Sequence, residues 1–168
     1  MKDENYDDFT FCGQRLEGGI RTAVAAWCAD RAAAKLKYGP IGSWDTSDVT
    51  DMDSLFYHQR NFHENISFWD VSNVRTLEDT FSGATSFNGD LSRWDVSNVC
   101  IFTNTFHGAT SFRQQLGGSW PNIPQQLRAP TTFYTRKRTR SDRIRGMFDK
   151  CPGSIEGMAK DAKGTPVW

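Results

Sequence analysis

Apolar residues return along this chain at a fixed step. Trp44, Trp69 and Trp94 lie 25 residues apart, and the same step links Val49, Val74 and Val99, then Phe56, Phe81 and Phe106, then Phe62, Phe87 and Phe112. Ile41, Ile66, Leu91 and Leu116 open four successive units. A fixed period in this range predicts a stacked solenoid, in which each copy buries a face it cannot cover alone. Within a copy the pattern divides in two. In L-S-R-W-D-V (residues 91–96), Leu91, Trp94 and Val96 point inward and Arg93 and Asp95 outward if one irregularity falls between the first two. That alternation predicts a short strand. Ser97 and Asn98 predict a bend, because both side chains can bond nearby backbone. Val99, Phe102 and Phe106 follow at a 3, 4 spacing, which predicts one or two helical or 3₁₀ turns laid on the core.

The chain before the first copy has a different period. Ile20, Val24, Cys28, Ala32 and Leu36 form an i, i+4 row with Trp27 beside it, predicting one amphipathic helix from about Glu17 to Tyr38. Gly39-Pro40 stops it, and Lys35 and Lys37 suit its negative end. Placed directly before the first copy, this helix is expected to cover the open end of the array. The segments read as a flexible lead-in (1–15), a capping helix (16–40), three tandem repeats with the start of a fourth (41–119), a basic loop insertion (120–146), and a partial repeat with a C-terminal tail (147–168). The insertion is inferred from spacing. Trp precedes Phe by 12 residues in the full copies, but Trp120 precedes Phe148 by 28. The stretch between holds Pro121, Pro124, Pro130 and the run from Arg136 to Arg140, with little periodicity. An error in the coding sequence over 120–147 is the other reading of this interruption.

Charge sharpens that division. The net charge is zero, yet residues 41–119 hold four basic and ten acidic side chains, and residues 120–168 hold ten basic and four acidic. An acidic repeat body is thus followed by a basic stretch, read first as solvated faces. No apolar run approaches the roughly 20 residues a membrane span needs. Met1–Thr10 is acidic and shows no secretory leader, so the compartment stays open between the cell interior and a surface location. Cys12, Cys28, Cys100 and Cys151 are far apart and make no zinc-type pair.

Asp45, Asp70 and Asp95 fall in one column, as a calcium site would need, but one column supplies too few of the ~6–8 oxygens; bonds from each carboxylate to its own backbone are the expected use. Ser47, Ser72 and Ser97 have no histidine partner at a shared position among His58, His63 and His107, so no nucleophile–base pair is predicted. No catalytic residue, metal or cofactor is expected. The tryptophan column could stack on sugars or bases, but its register with the apolar positions predicts burial. Arg136 to Arg145 is read as a solvated loop, with nucleic-acid binding kept as a minor alternative. Asn65-Ile66-Ser67 is a glycosylation triplet only if the chain is secreted.

The tandem W-D-V-S-N-V heads, the first of them followed by an apolar residue and then T-F-S-G-A-T-S-F-N-G-D-L-S, resemble the roughly 25-residue repeat of the BspA-like surface proteins, an uncharacterised domain family of bacterial and algal surface proteins. The resemblance covers about residues 16–118. It implies an α/β fold, a short right-handed leucine-rich-repeat-like solenoid with its N-terminal capping helix, and a role in surface adhesion or protein–protein binding through the strand face. It implies no catalytic residues. On that face the expected binding residues are Ser43, Phe68 and Arg93, the outward column that varies between copies, with Asp45, Asp70 and Asp95. The expected partner is a protein or cell-surface ligand. The alternatives are a structural spacer from a longer surface protein, and an intracellular binder using the basic insertion.

Overall fold

The computed structural model describes Leu16, residues 19–123 and residues 143–167. The expected lead-in over 1–15 and most of the expected loop, residues 124–142, lie outside the described residues.

The N-terminal segment forms two helices where one was expected, α1 (Gly19–Ala29) and α2 (Arg31–Tyr38). Asp30 separates them. Its backbone is extended (φ −148°, ψ 96°) and its carboxylate accepts from the Ala33 N–H at 3.0 Å, so it serves as the N-cap of α2. The break resets the helical phase. Ile20, Val24 and Trp27 are buried on α1, but α2 buries Ala34 and Tyr38 and leaves Leu36 81% exposed. Gly39 ends α2 with φ 73° and returns its N–H to the Lys35 carbonyl. Trp27 and Tyr38 meet Trp44 edge-on, at centroid distances of 5.7 and 5.9 Å. Arg21 to Asp51 (2.8 Å) and Arg31 to Glu64 (3.1 Å) tie both helices to the repeats.

The α/β right-handed leucine-rich-repeat-like solenoid with a single capping helix is not what the chain forms. The strands among the described residues are β1 (Gln115–Leu116), β2 (Ser154–Ile155), β3 (Ala159–Lys160) and β4 (Pro166–Val167), each two residues long. β1 pairs with β2 in parallel, and β3 with β4 antiparallel. Apart from β1 at the junction of the third and fourth copies, the described residues of the copies contribute isolated parallel bridges, Asp51 to Thr76 and Thr76 to Ile101. The reason is local. In the head, Trp94 N–H bonds the Leu91 carbonyl and Val99 N–H bonds the Val96 carbonyl, so the expected strand is two successive turns. The second half is not helical either. Its Ser54, Asp79 and Asn104 (φ 52–56°) and its His58, Gly83 and Gly108 (φ 56–72°) are left-handed, and no helix or strand runs through such residues.

Rungs between turns hold one copy to the next. Phe56, Phe81 and Phe106 donate their N–H groups to the carbonyls of Thr80, Thr105 and Met147, and parallel rungs lie two residues to either side. The side chains follow the same step. Phe56, Phe81, Phe106 and Phe148 stack at 5.3–5.6 Å, and Phe62, Phe87 and Phe112 at 5.8 Å. Trp69, Trp94 and Trp120 donate Nε1–H to the carbonyls of Ile41, Ile66 and Leu91, the residues that open the preceding copies, at 2.8, 3.1 and 2.9 Å. All four tryptophans of this column, Trp44 included, are buried. Each such ring contributes on the order of 2–3 kcal/mol by leaving water. Buried Thr80 and Thr105 are satisfied by the carbonyls of Met52 and Leu77. Trp120, Ile123 and Ile144, at the two ends of the expected loop, belong to this core.

Candidate functional site

Each copy opens with a tight turn, and its third residue is the outward one. Trp44, Trp69 and Trp94 return their N–H groups to Ile41, Ile66 and Leu91, so Ser43, Phe68 and Arg93 occupy the corners whatever their chemistry. Ser43 is half-buried and its Oγ donates to the Pro40 carbonyl at 2.9 Å. Phe68 is 71% exposed, a large aromatic at a place where burial is not available to it. The Arg93 guanidinium lies 5.0 Å above the Phe68 ring, a cation–π contact between neighbouring copies.

The aspartate column is used differently. Asp45, Asp70 and Asp95 are exposed, and their Oδ1 atoms accept from the backbone N–H of Ser47, Ser72 and Ser97 at 2.9–3.0 Å. Ser47 Oγ adds a second bond to Asp45, and these bonds hold the Asp45 carboxyl below its ordinary value of 3.8. These carboxylates fix the turn after the tryptophan. The structure brings Phe68 and Arg93 together, sets Ser43 in the same cleft as Phe68, and places the three aspartates away from them.

Two open clefts flank Phe68. One, of about 510 Å³, runs between α2 and the first two copies, past Arg31, Lys35, Ser43, Glu64 and Asn65. The other, of about 460 Å³, lies between the first and second copies, past Glu64, Asn65, Asn88 and Asp90, and reaches the third at Arg93. A third, of about 370 Å³, adjoins them beside Trp27, His58 and Arg60, and Glu64 borders all three. Cys28 lines the third, where burial pushes its thiol above the ordinary value. Gly89 is needed here, since a Cβ on it would come within 2.9 Å of the Phe87 ring; the second copy therefore carries no side chain where the first carries Glu64.

His63-Glu64-Asn65 and Asn88-Gly89-Asp90 were missing from the expected site. The signal for them lay in the repeat itself. Around the fixed Phe62, Phe87 and Phe112 these loop columns change from copy to copy, to Arg113-Gln114-Gln115 in the third. In that third copy the variation is spent on the array, with Arg113 N–H and Gln114 Nε2 both bonded to Asn88. Between the first and second copies no such bridge closes the gap, and the cleft stays open.

A family model described as Mycoplasma protein of unknown function, DUF285, matches residues 27–149. The chain belongs to that family. The DUF285 match takes in α2, the repeats and Phe148, and therefore every residue of the Phe68 clefts. No curated protein and no solved structure matches the chain. Among the described residues no helix is long and apolar enough to cross a membrane.

Proposed function

We propose that this chain is a non-enzymatic interaction module that engages a protein or cell-surface partner through the face around Phe68. The observation that carries the reading is Phe68 itself. Large aromatics are enriched at the centres of binding surfaces, where their area is recovered on contact. Here the ring stands 71% open, beside two clefts, in an outward column whose chemistry changes between copies. Resemblance of the repeat to BspA-like surface proteins supports a role in adhesion at the cell surface.

Immobilised chain is to be compared with the Phe68→Ser/Arg93→Glu double variant for retention of intact cells and of detergent-extracted surface proteins. The expected result is retention by the parent and loss by the variant at unchanged melting temperature. Equal retention by both sinks the reading and leaves a structural spacer, whose face has no role in contact.

A further inference from the structure

We propose that the two clefts flanking Phe68 form one continuous site for a neutral oligosaccharide chain. The inference rests on the interaction reading above and names its ligand. Charge decides against the other small-ligand classes. Asp90 in the cleft between the copies repels a phosphate or a polyanion, and Arg93 and, across Phe68, Lys35 oppose a cation. Glu64 borders both clefts and is paired with Arg31 at 3.1 Å, so those two charges offset each other. Donors and acceptors of both charges within one site suit a ligand that is uncharged and carries groups able to donate and accept, as sugar hydroxyls do. The polar groups are also available. Among the described residues, Arg93 makes no hydrogen bond, stacks on Phe68 and lies near enough to Asp90 to help lower its carboxyl, and the Asn65 side chain uses only its oxygen, on the Ser67 N–H. The Asp90 carboxylate is held ionised by the Ser92 N–H, which pulls it below its ordinary value, and keeps acceptor sites for more.

Shape points the same way. Phe68 projects between two shallow clefts with Arg93 over one face, and the C–H face of a pyranose ring lies flat on the face that Arg93 leaves open while its hydroxyls reach the polar rim. The copies advance by 5.3–5.8 Å, measured on the Phe columns, about one sugar residue of an extended chain. A peptide that binds by adding a strand would need a strand edge, and the described strands are two residues long and paired.

Saturation-transfer NMR with neutral hexasaccharides of glucose, mannose, xylose and N-acetylglucosamine at millimolar concentration tests the proposal on the full chain. At least one of them should receive transfer on its ring C–H protons, with little change between low and high salt. Phe68→Ser should weaken it by about tenfold or more, and Arg93→Ala less. Tyr57→Ser, an exposed aromatic outside the two clefts, should leave it unchanged. The assignment is overturned if no neutral hexasaccharide binds, if only a heparin hexasaccharide does, or if Phe68→Ser binds as the parent does. Failure here with Phe68-dependent retention of cells or proteins intact removes the sugar and keeps the module; failure of both removes both.

Discussion

Trp69 offers the sharpest test of how the copies hold one another. It is 3% exposed, stacks 6.1 Å from Trp44, lies 5.8 Å from Phe56, and donates Nε1–H to the Ile41 carbonyl at 2.8 Å. Two substitutions separate these contributions. Trp69→Phe keeps most of the ring contact and removes the shorter of two bonds to the Ile41 carbonyl, which keeps the 3.4 Å one from the Trp44 N–H, a loss of about 0.5–1.5 kcal/mol. Trp69→Ala also opens a cavity between two copies, for a total of about 3–5 kcal/mol. Chains of this size are stable by about 5–15 kcal/mol, so the alanine variant loses about a fifth of its margin or more. Urea titration followed by the fluorescence of the remaining tryptophans, with calorimetry alongside, measures both. Trp69→Ala melting within about 0.5 kcal/mol of the parent, as surface changes do, would refute the account. Normal melting with lost retention of cells would instead show the tryptophan column acting as a contact surface.

Other outcomes follow from single positions. Gly83→Ala should destabilise by about 1–2 kcal/mol because a left-handed residue acquires a Cβ, and that Cβ would meet His58 Nδ1 at 2.6 Å; pairing it with His58→Gly should recover part of the loss in thermal melts. Burial raises the Asp79 carboxyl above its ordinary value of 3.8, so the folded state holds this proton more tightly than the unfolded chain and stability falls as pH rises from 3.8 through the folded value. Asp79→Asn should therefore melt higher at neutral pH, with the gain disappearing below the ordinary carboxyl range; an equal gain at all pH values would contradict the sign. Burial pushes the Cys151 thiol up to about 11, so at pH 8 iodoacetamide should label it only as fast as the chain opens, as read by peptide mapping after a quench. Labelling at the rate of a free peptide thiol would disprove this.

Much of the core was legible because it needs only identity and spacing. The Trp and Phe columns, the Gly39-Pro40 stop and the carboxylate caps at Asp45, Asp70 and Asp95 all follow from residue type at a fixed step. The strand reading of L-S-R-W-D-V failed for a definite reason. Two tight turns in succession expose Arg93 and Asp95 and bury Leu91, Trp94 and Val96, the same outcome as a kinked strand, and burial alone does not separate them. Leucine-rich-repeat strands need consecutive extended residues, and the chain's own turn chemistry denies them. The break at Asp30 was hidden by an unbroken apolar row from Ile20 to Leu36; a carboxylate that finds an N–H three residues on can interrupt a helix without disturbing that row. The clefts were half legible. Phe68 and Arg93 stood out as an outward column, but their spatial neighbours Glu64, Asn65 and Asp90 belong to a different column, and only the turn geometry brings the two together.

The fourth copy is divided in sequence but not in space. Trp120 bonds the Leu91 carbonyl and Phe148 stacks on Phe106, so both halves dock on the third copy although residues 124–142 intervene. The chain departs after Ile123 and the rungs resume at Arg143, whose carbonyl receives the Phe102 N–H. In an intact copy that interval begins at the exposed Asn98 and runs through the buried Val99 to the half-buried Cys100. The tips at Asp48, Asn73 and Asn98 are therefore ports, places where foreign sequence can be spliced while the flanking halves keep their seats. A designer could graft loops there one copy at a time and array them along a single edge.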